Sequence, residues 1–124
     1  MTAAWQQYRS APALGTRVVE ADALPDHGHL SLSVDSERGR FPLLVVRLTG
    51  AAPLGYVNAC PHQFLPLDQR GDRLLSEDGE QLRCSNHDAT FATRSGEGIG
   101  GLGVGCSLEP VPVSLRSGWL VIGD

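Results

Sequence analysis

Two short stretches of this 124-residue chain hold donors suited to a metal centre. Cys60-Pro61-His62 places a thiol and an imidazole two positions apart, and Cys84-Ser85-Asn86-His87 places the same pair three positions apart. A thiolate is a soft ligand and a neutral imidazole a borderline one, and together they suit a transition metal. A lone Cys beside a His is ordinarily a small buried side chain next to a solvated ring. Two such pairs in one short chain, each opening on Cys and closing on His, are read as one four-ligand set of Cys60, His62, Cys84 and His87.

The other reactive side chains have plainer readings. Cys106 is read as a small buried residue, His27 and His29 as exposed histidines of a Pro/Gly turn, and Trp5, Tyr8 and Trp119 as packing residues. Gly98 to Gly103 spells G-x-G-x-x-G, but no βαβ unit surrounds it and no helix follows. That stretch is read as a flexible cover over the metal site. No Ser/His/Asp set and no paired carboxylates are evident, so the chain is expected to have no substrate site of its own.

Ligands at this spacing need a frame that presents two loops to one another. The segments between turn signals are short and rich in Val, Leu and Ile, which predicts an all-β protein. Strands are expected over residues 16–20, 30–34, 43–48, 55–58, 73–75, 81–83, 90–92, 111–115 and 119–122. Both Cys/His pairs then begin just past a strand, where backbone is held and the following loop can curl around an ion. Ser76-Glu77-Asp78-Gly79-Glu80, flanked by Leu74, Leu75 and Leu82, predicts a hairpin between the two pairs.

Composition narrows the function classes. The hydrophobic fraction of 41% and charged fraction of 19% are those of an ordinary globular domain, and the length suits one core over residues 1–124. A net charge of -4, with ten basic residues, all Arg and scattered, argues against nucleic acid as a partner. No apolar run approaches a bilayer crossing, and Gln6, Gln7 and Arg9 interrupt any secretory signal, so no membrane association and a cytoplasmic location are expected. Three cysteines are too few for a disulfide framework and fit ligands in a reducing compartment.

Zinc is the ordinary occupant of two Cys and two His, but its sites commonly group the cysteines together and the histidines together. Here each loop supplies one of each. Mixed loops match an asymmetric two-iron cluster, with both thiolates on one iron and both imidazoles on the other. The pattern C-x-H, an intervening stretch, then C-x-x-H resembles the Rieske signature at Cys60, His62, Cys84 and His87. Further features similar to that family are Asn58, Leu67, Phe91, Gly96, and the closing Val111-Pro112-Val113 and Trp119-Leu120-Val121-Ile122. The resemblance runs from about Thr16 to the end. The chain departs from the family's usual pattern at Phe64 and Asp88, where glycines are common, and in a stretch from Gly98 to Cys106 without proline.

This resemblance implies a Rieske-like antiparallel β sandwich with a small cluster-binding part at about residues 58–106, and a 2Fe-2S cluster as cofactor. Two ferric ions, two sulfides and two thiolates sum to a formal charge of about zero, against about -2 with four thiolates, so reduction is easier than in plant-type clusters. High-potential members carry a disulfide beside the cluster, for which Phe64, Leu65, Ser85 and Asn86 offer no pair. They also carry serine and tyrosine donors where Ala89 and Phe91 stand here, and Asp88 adds negative charge. The expected function is a low-potential, one-electron carrier, the ferredoxin component of an oxygenase system or a small reductase subunit. Its partners would be a reductase and a terminal oxygenase or reductase catalytic subunit, met at the imidazoles of His62 and His87. The alternative is a zinc-stabilised binding module without redox role.

Overall fold

The computed structural model describes Trp5 and residues 11–36, 39–48, 50–59, 67, 74–76, 78–84, 89–101 and 107–123. Among these the strands are antiparallel, and a short 3-10 turn at Ala21–Ala23 follows the first of them. It divides into two compact units, one of Met1–Val57 with Glu109–Asp124 and the other of Asn58–Leu108.

The first unit contains β1 (Arg17–Glu20), β2 (Gly28–Ser36), β3 (Gly39–Arg47) and β4 (Leu54–Val57) from the front of the chain. Two of these pair with strands from its end. Sheet order β2-β3-β4-β8 includes β8 (Pro110–Val111), and order β1-β10-β9 includes β9 (Val113–Arg116) and β10 (Trp119–Ile122). In β3 the consecutive residues Leu43, Leu44, Val45 and Val46 are all buried, so this strand is covered on both faces, which is why it reads as an unbroken apolar run. Trp5 meets Phe41 edge to face, with ring centroids 6.2 Å apart. The Arg17 guanidinium lies over the Trp119 ring at 5.3 Å. Both tryptophans thus pack as expected.

The expected strand over residues 111–115 is two strands parted at Pro112, whose missing N–H interrupts a ladder. The carbonyl of Pro112 instead accepts from Gly123 N–H at 2.8 Å. His29 is half-buried within β2 opposite Val46, which corrects its reading as a loop residue. Gly28, with φ of 156°, ends the Pro25 turn and starts the strand two residues earlier than the side-chain pattern signals.

Gly55 lets β4 and β8 approach closely. A Cβ there would lie 2.7 Å from the Val111 carbonyl oxygen and 3.0 Å from Val113 Cγ1. The first is paired backbone that cannot swing aside and the second a β-branched side chain, so Gly55→Ala is expected to cost about 1–3 kcal/mol. A thermal melt should show the midpoint falling by about 5 °C or more, and an unchanged midpoint would mean that β8 yields freely.

Tyr56, beside it, is buried opposite Leu44 and Pro110. Burial disfavours the phenolate and pushes its pKa up from 10.0 to about 12. The neutral form is thus the one the fold prefers. The associated stability is intact below pH 10 and is lost as pH rises through about 12. An alkaline titration of tyrosinate absorbance should therefore show Tyr56 ionising near pH 12, and ionisation near 10 would mean that its ring is wet.

The second unit is built on β5 (Gln81–Arg83), β6 (Thr90–Ala92) and β7 (Gly98–Gly100), in that sheet order. The expected hairpin precedes them. Leu75 bridges Leu82, Ser76 N–H donates to the Gln81 carbonyl at 2.9 Å, and Gly79 turns with φ of 75°. The Asp78 carboxylate accepts from Ser76 Oγ at 2.6 Å and from Glu80 N–H at 3.0 Å, and these bonds hold its pKa below the ordinary aspartate value. Of the expected strand at residues 73–75, Leu75 makes only the isolated bridge and Arg73 lies outside the described residues. Of the stretch Gly98 to Gly103 read as a flexible cover, Gly98–Gly100 is instead a strand paired with β6 through Thr90↔Gly100 and Phe91↔Gly98, and Leu102 and Gly103 lie outside the described residues.

Candidate metal centre

Cys84 owes its position to strand periodicity. Along Gln81-Leu82-Arg83-Cys84 burial alternates exposed, buried, exposed, buried, so Cys84 continues the inward face that Leu82 begins. Its side chain is 0% exposed. On the partner strand Ala89 and Phe91 alternate in the same way, both fully buried, and Phe91 lies directly opposite Leu82.

The ladder between β5 and β6 extends one step beyond the strands themselves. Cys84 N–H donates to the Ala89 carbonyl at 2.8 Å, after the Arg83↔Thr90 pair. Residues 85–88, which include His87, follow Cys84 and precede Ala89 in sequence, and these two flanking positions are tied by backbone. His87, Ser85, Asn86 and Asp88 themselves lie outside the described residues.

The first Cys/His pair leaves β4 at Val57. Cys60 and His62 also lie outside the described residues, but both feet of their loop are described. Asn58 is 6% exposed, and its Oδ1 accepts from Leu67 N–H at 2.9 Å. Leu67 is itself fully buried. The span from residue 58 to residue 67 is thus tied at its base by a side-chain-to-backbone bond, with Cys60-Pro61-His62 between its ends in sequence. Asn58 and Leu67 stand out in the sequence as family-like positions, but the bond between them leaves no local spacing to read.

Two hydrogen-bonded loop bases in one unit, each enclosing one thiol and one imidazole or ending on the thiol itself, are suited to a centre with mixed ligands. Two thiolates and two neutral imidazoles match the donor set of an asymmetric 2Fe-2S cluster. Cys84 is fully buried, as are Leu82, Ala89 and Phe91 on the same pair of strands and their extension, and this fits a cluster kept from bulk water. Among the described residues no helix is long and apolar enough to cross a membrane.

Comparison with known proteins agrees with this chemistry. The model of the Rieske [2Fe-2S] domain matches residues 16–103. No match was found among curated proteins. Among solved structures, the ferredoxin of carbazole 1,9a-dioxygenase from Nocardioides aromaticivorans IC177 superposes with a TM-score of 0.69 at 20% identity, over 90% of this chain and 99% of that one. The Sphingomonas yanoikuyae B1 ferredoxin gives a TM-score of 0.67 at 19% identity, over 89% and 98%. A chain in the complex of reduced oxygenase and oxidized ferredoxin in carbazole 1,9a-dioxygenase gives 0.68 at 19% identity, over 89% and 93%. At such identities these likenesses are of fold, and the fold they share is the all-β antiparallel one described above. By its family match the chain belongs to the Rieske [2Fe-2S] domain family, and its prosthetic group is a 2Fe-2S cluster that carries single electrons.

Proposed function

We propose that this protein is a low-potential ferredoxin-type electron carrier, one Rieske domain over residues 1–124 whose cluster-binding part spans about residues 58–106. In this reading Cys60 and Cys84 hold one iron, and His62 and His87 the other. The observation that supports it most is the pair of closed loop bases, Asn58 to Leu67 and Cys84 to Ala89, with the four donors at or inside them.

The cluster, when bound, accepts and releases one electron. The chain's own part is to hold it and set its potential. Cys84, buried at a strand end, keeps its thiol in apolar surroundings with the backbone fixed behind it. Ala89 and Phe91, also fully buried, offer no hydroxyl at positions where high-potential members of the family carry donors to sulfur. A sulfur without such donors holds more charge, which disfavours added electrons, and Asp88 acts in the same direction. The midpoint is accordingly expected near the low end of the roughly -150 to +300 mV span of Rieske centres.

The partners proposed are a reductase as donor and an oxygenase, or a reductase's catalytic subunit, as acceptor. The oxygenase side is supported by the fold likeness to ferredoxins of carbazole 1,9a-dioxygenase, one of them seen with its oxygenase. A cytoplasmic location goes with this role. The zinc-bound alternative raised by the ligand types is disfavoured by the family match.

Purified under anaerobic conditions, the protein should be reddish-brown, bleach on dithionite and titrate as a one-electron couple with a negative midpoint. A clearly positive midpoint would remove the low-potential assignment. A colourless protein with stoichiometric zinc would remove the electron carrier altogether.

A further inference from the structure

We infer that Asn58 is a positioning residue for the cluster, acting through the Leu67 amide to fix the loop that carries Cys60 and His62. The inference rests on the proposed ligand set. Two loop bases are described, and they are closed by different means. The second is closed by backbone alone, Cys84 N–H to the Ala89 carbonyl at 2.8 Å, as the natural continuation of the β5–β6 ladder.

At the first base the described bond is of another kind. Pro66, just before Leu67, has no N–H to donate to a ladder. On the β4 side, Val57 N–H is already committed to the Glu109 carbonyl at 2.9 Å. A side chain closes this base instead, with Asn58 Oδ1 accepting from Leu67 N–H at 2.9 Å across nine positions. The bond is out of water at both ends, since Asn58 is 6% and Leu67 0% exposed. A buried N–H deprived of its acceptor keeps its full desolvation cost, so the loop foot at Leu67 would have to move to recover a partner. Movement at that foot is carried to Cys60 and His62, which lie between it and Asn58 in sequence. The asymmetry follows directly. The bond at the second base is made by backbone whatever side chains stand there, whereas the described bond at the first base is made by the Asn58 carboxamide.

The test compares the full-length loaded protein with three variants. Asn58→Ala removes the acceptor, Asn58→Asp keeps an oxygen at the same place, and Leu108→Ala cuts the core of the same unit far in sequence from either ligand pair. Asn58→Ala is expected to lose its visible absorption to a chelator about tenfold faster than wild type, with shifted g-values in the EPR spectrum of the reduced protein. Asn58→Asp should remain within about threefold of wild type in that rate, with wild-type g-values. Leu108→Ala should melt at a lower temperature with an unaltered EPR spectrum, which separates positioning from general loss of stability. A loaded Asn58→Ala protein with the wild-type spectrum and rate overturns the role of Asn58 alone. If Asn58→Ala does not accumulate, Asn58→Asp decides: wild-type behaviour supports the role, and a changed spectrum overturns it. A wild-type protein without iron and sulfide overturns the ligand reading and this inference together.

Discussion

Cys84→Ser is expected to yield a protein without visible colour and without stoichiometric iron. A serine hydroxyl remains protonated where a thiolate would ligate, and it offers iron a hard oxygen in place of a soft sulfur. The site gives the substitution little room to adapt, because Cys84 is fully buried and its amide is tied to Ala89. Iron and acid-labile sulfide measured per chain, beside far-UV circular dichroism to establish that the strands remain, make the test. Cys106→Ser is the comparison, since Cys106 stands outside both Cys/His pairs and its loss should leave the colour unchanged. A coloured Cys84→Ser protein with full iron would remove Cys84 from the ligand set.

The second large effect is structural. Phe91 is fully buried in the middle of β6, faces Leu82 across the ladder, and stands two positions from Ala89 at the base of the second loop. Phe91→Ala removes a ring from the inward face of a three-stranded sheet whose strands carry few other large buried side chains to fill the space. A loss of about 3–5 kcal/mol is expected, read as a lower denaturant midpoint in urea unfolding. The cluster should be lost at lower denaturant along with it. A midpoint shift worth less than about 1 kcal/mol would mean that neighbours close the cavity.

What the sequence made legible follows from how local each signal is. Gln81-Leu82-Arg83 and Thr90-Phe91-Ala92 alternate in burial, and the strands there run over those same positions. The turn at Asp78-Gly79 announces itself by residue type. The four proposed donors draw notice because a soft thiolate and an imidazole at short spacing, twice over, suit a transition metal. Strand β7 was hidden for the opposite reason. Two of its three residues are glycine, so there is no side-chain alternation to see, and the pairing is supplied by backbone against Thr90 and Phe91. His29 was misplaced because Pro25 and Gly28 signal a turn that the chain completes just before it. The Asn58 bond joins residues nine apart through a side chain, a link that no periodicity encodes.

The route of the chain through its first unit has a consequence for assembly. All of Asn58–Leu108 leaves from β4 and returns to β8 at a neck where Val57 N–H meets the Glu109 carbonyl at 2.9 Å. Were that stretch a random coil, zipping β4 to β8 would oppose a length-dependent loop entropy of about 3–4 kcal/mol. A folded insert delivers its two ends together and removes most of that penalty. Anything that tightens the insert, a captured prosthetic group included, is thereby transmitted to the closing strand pair through chain connectivity alone.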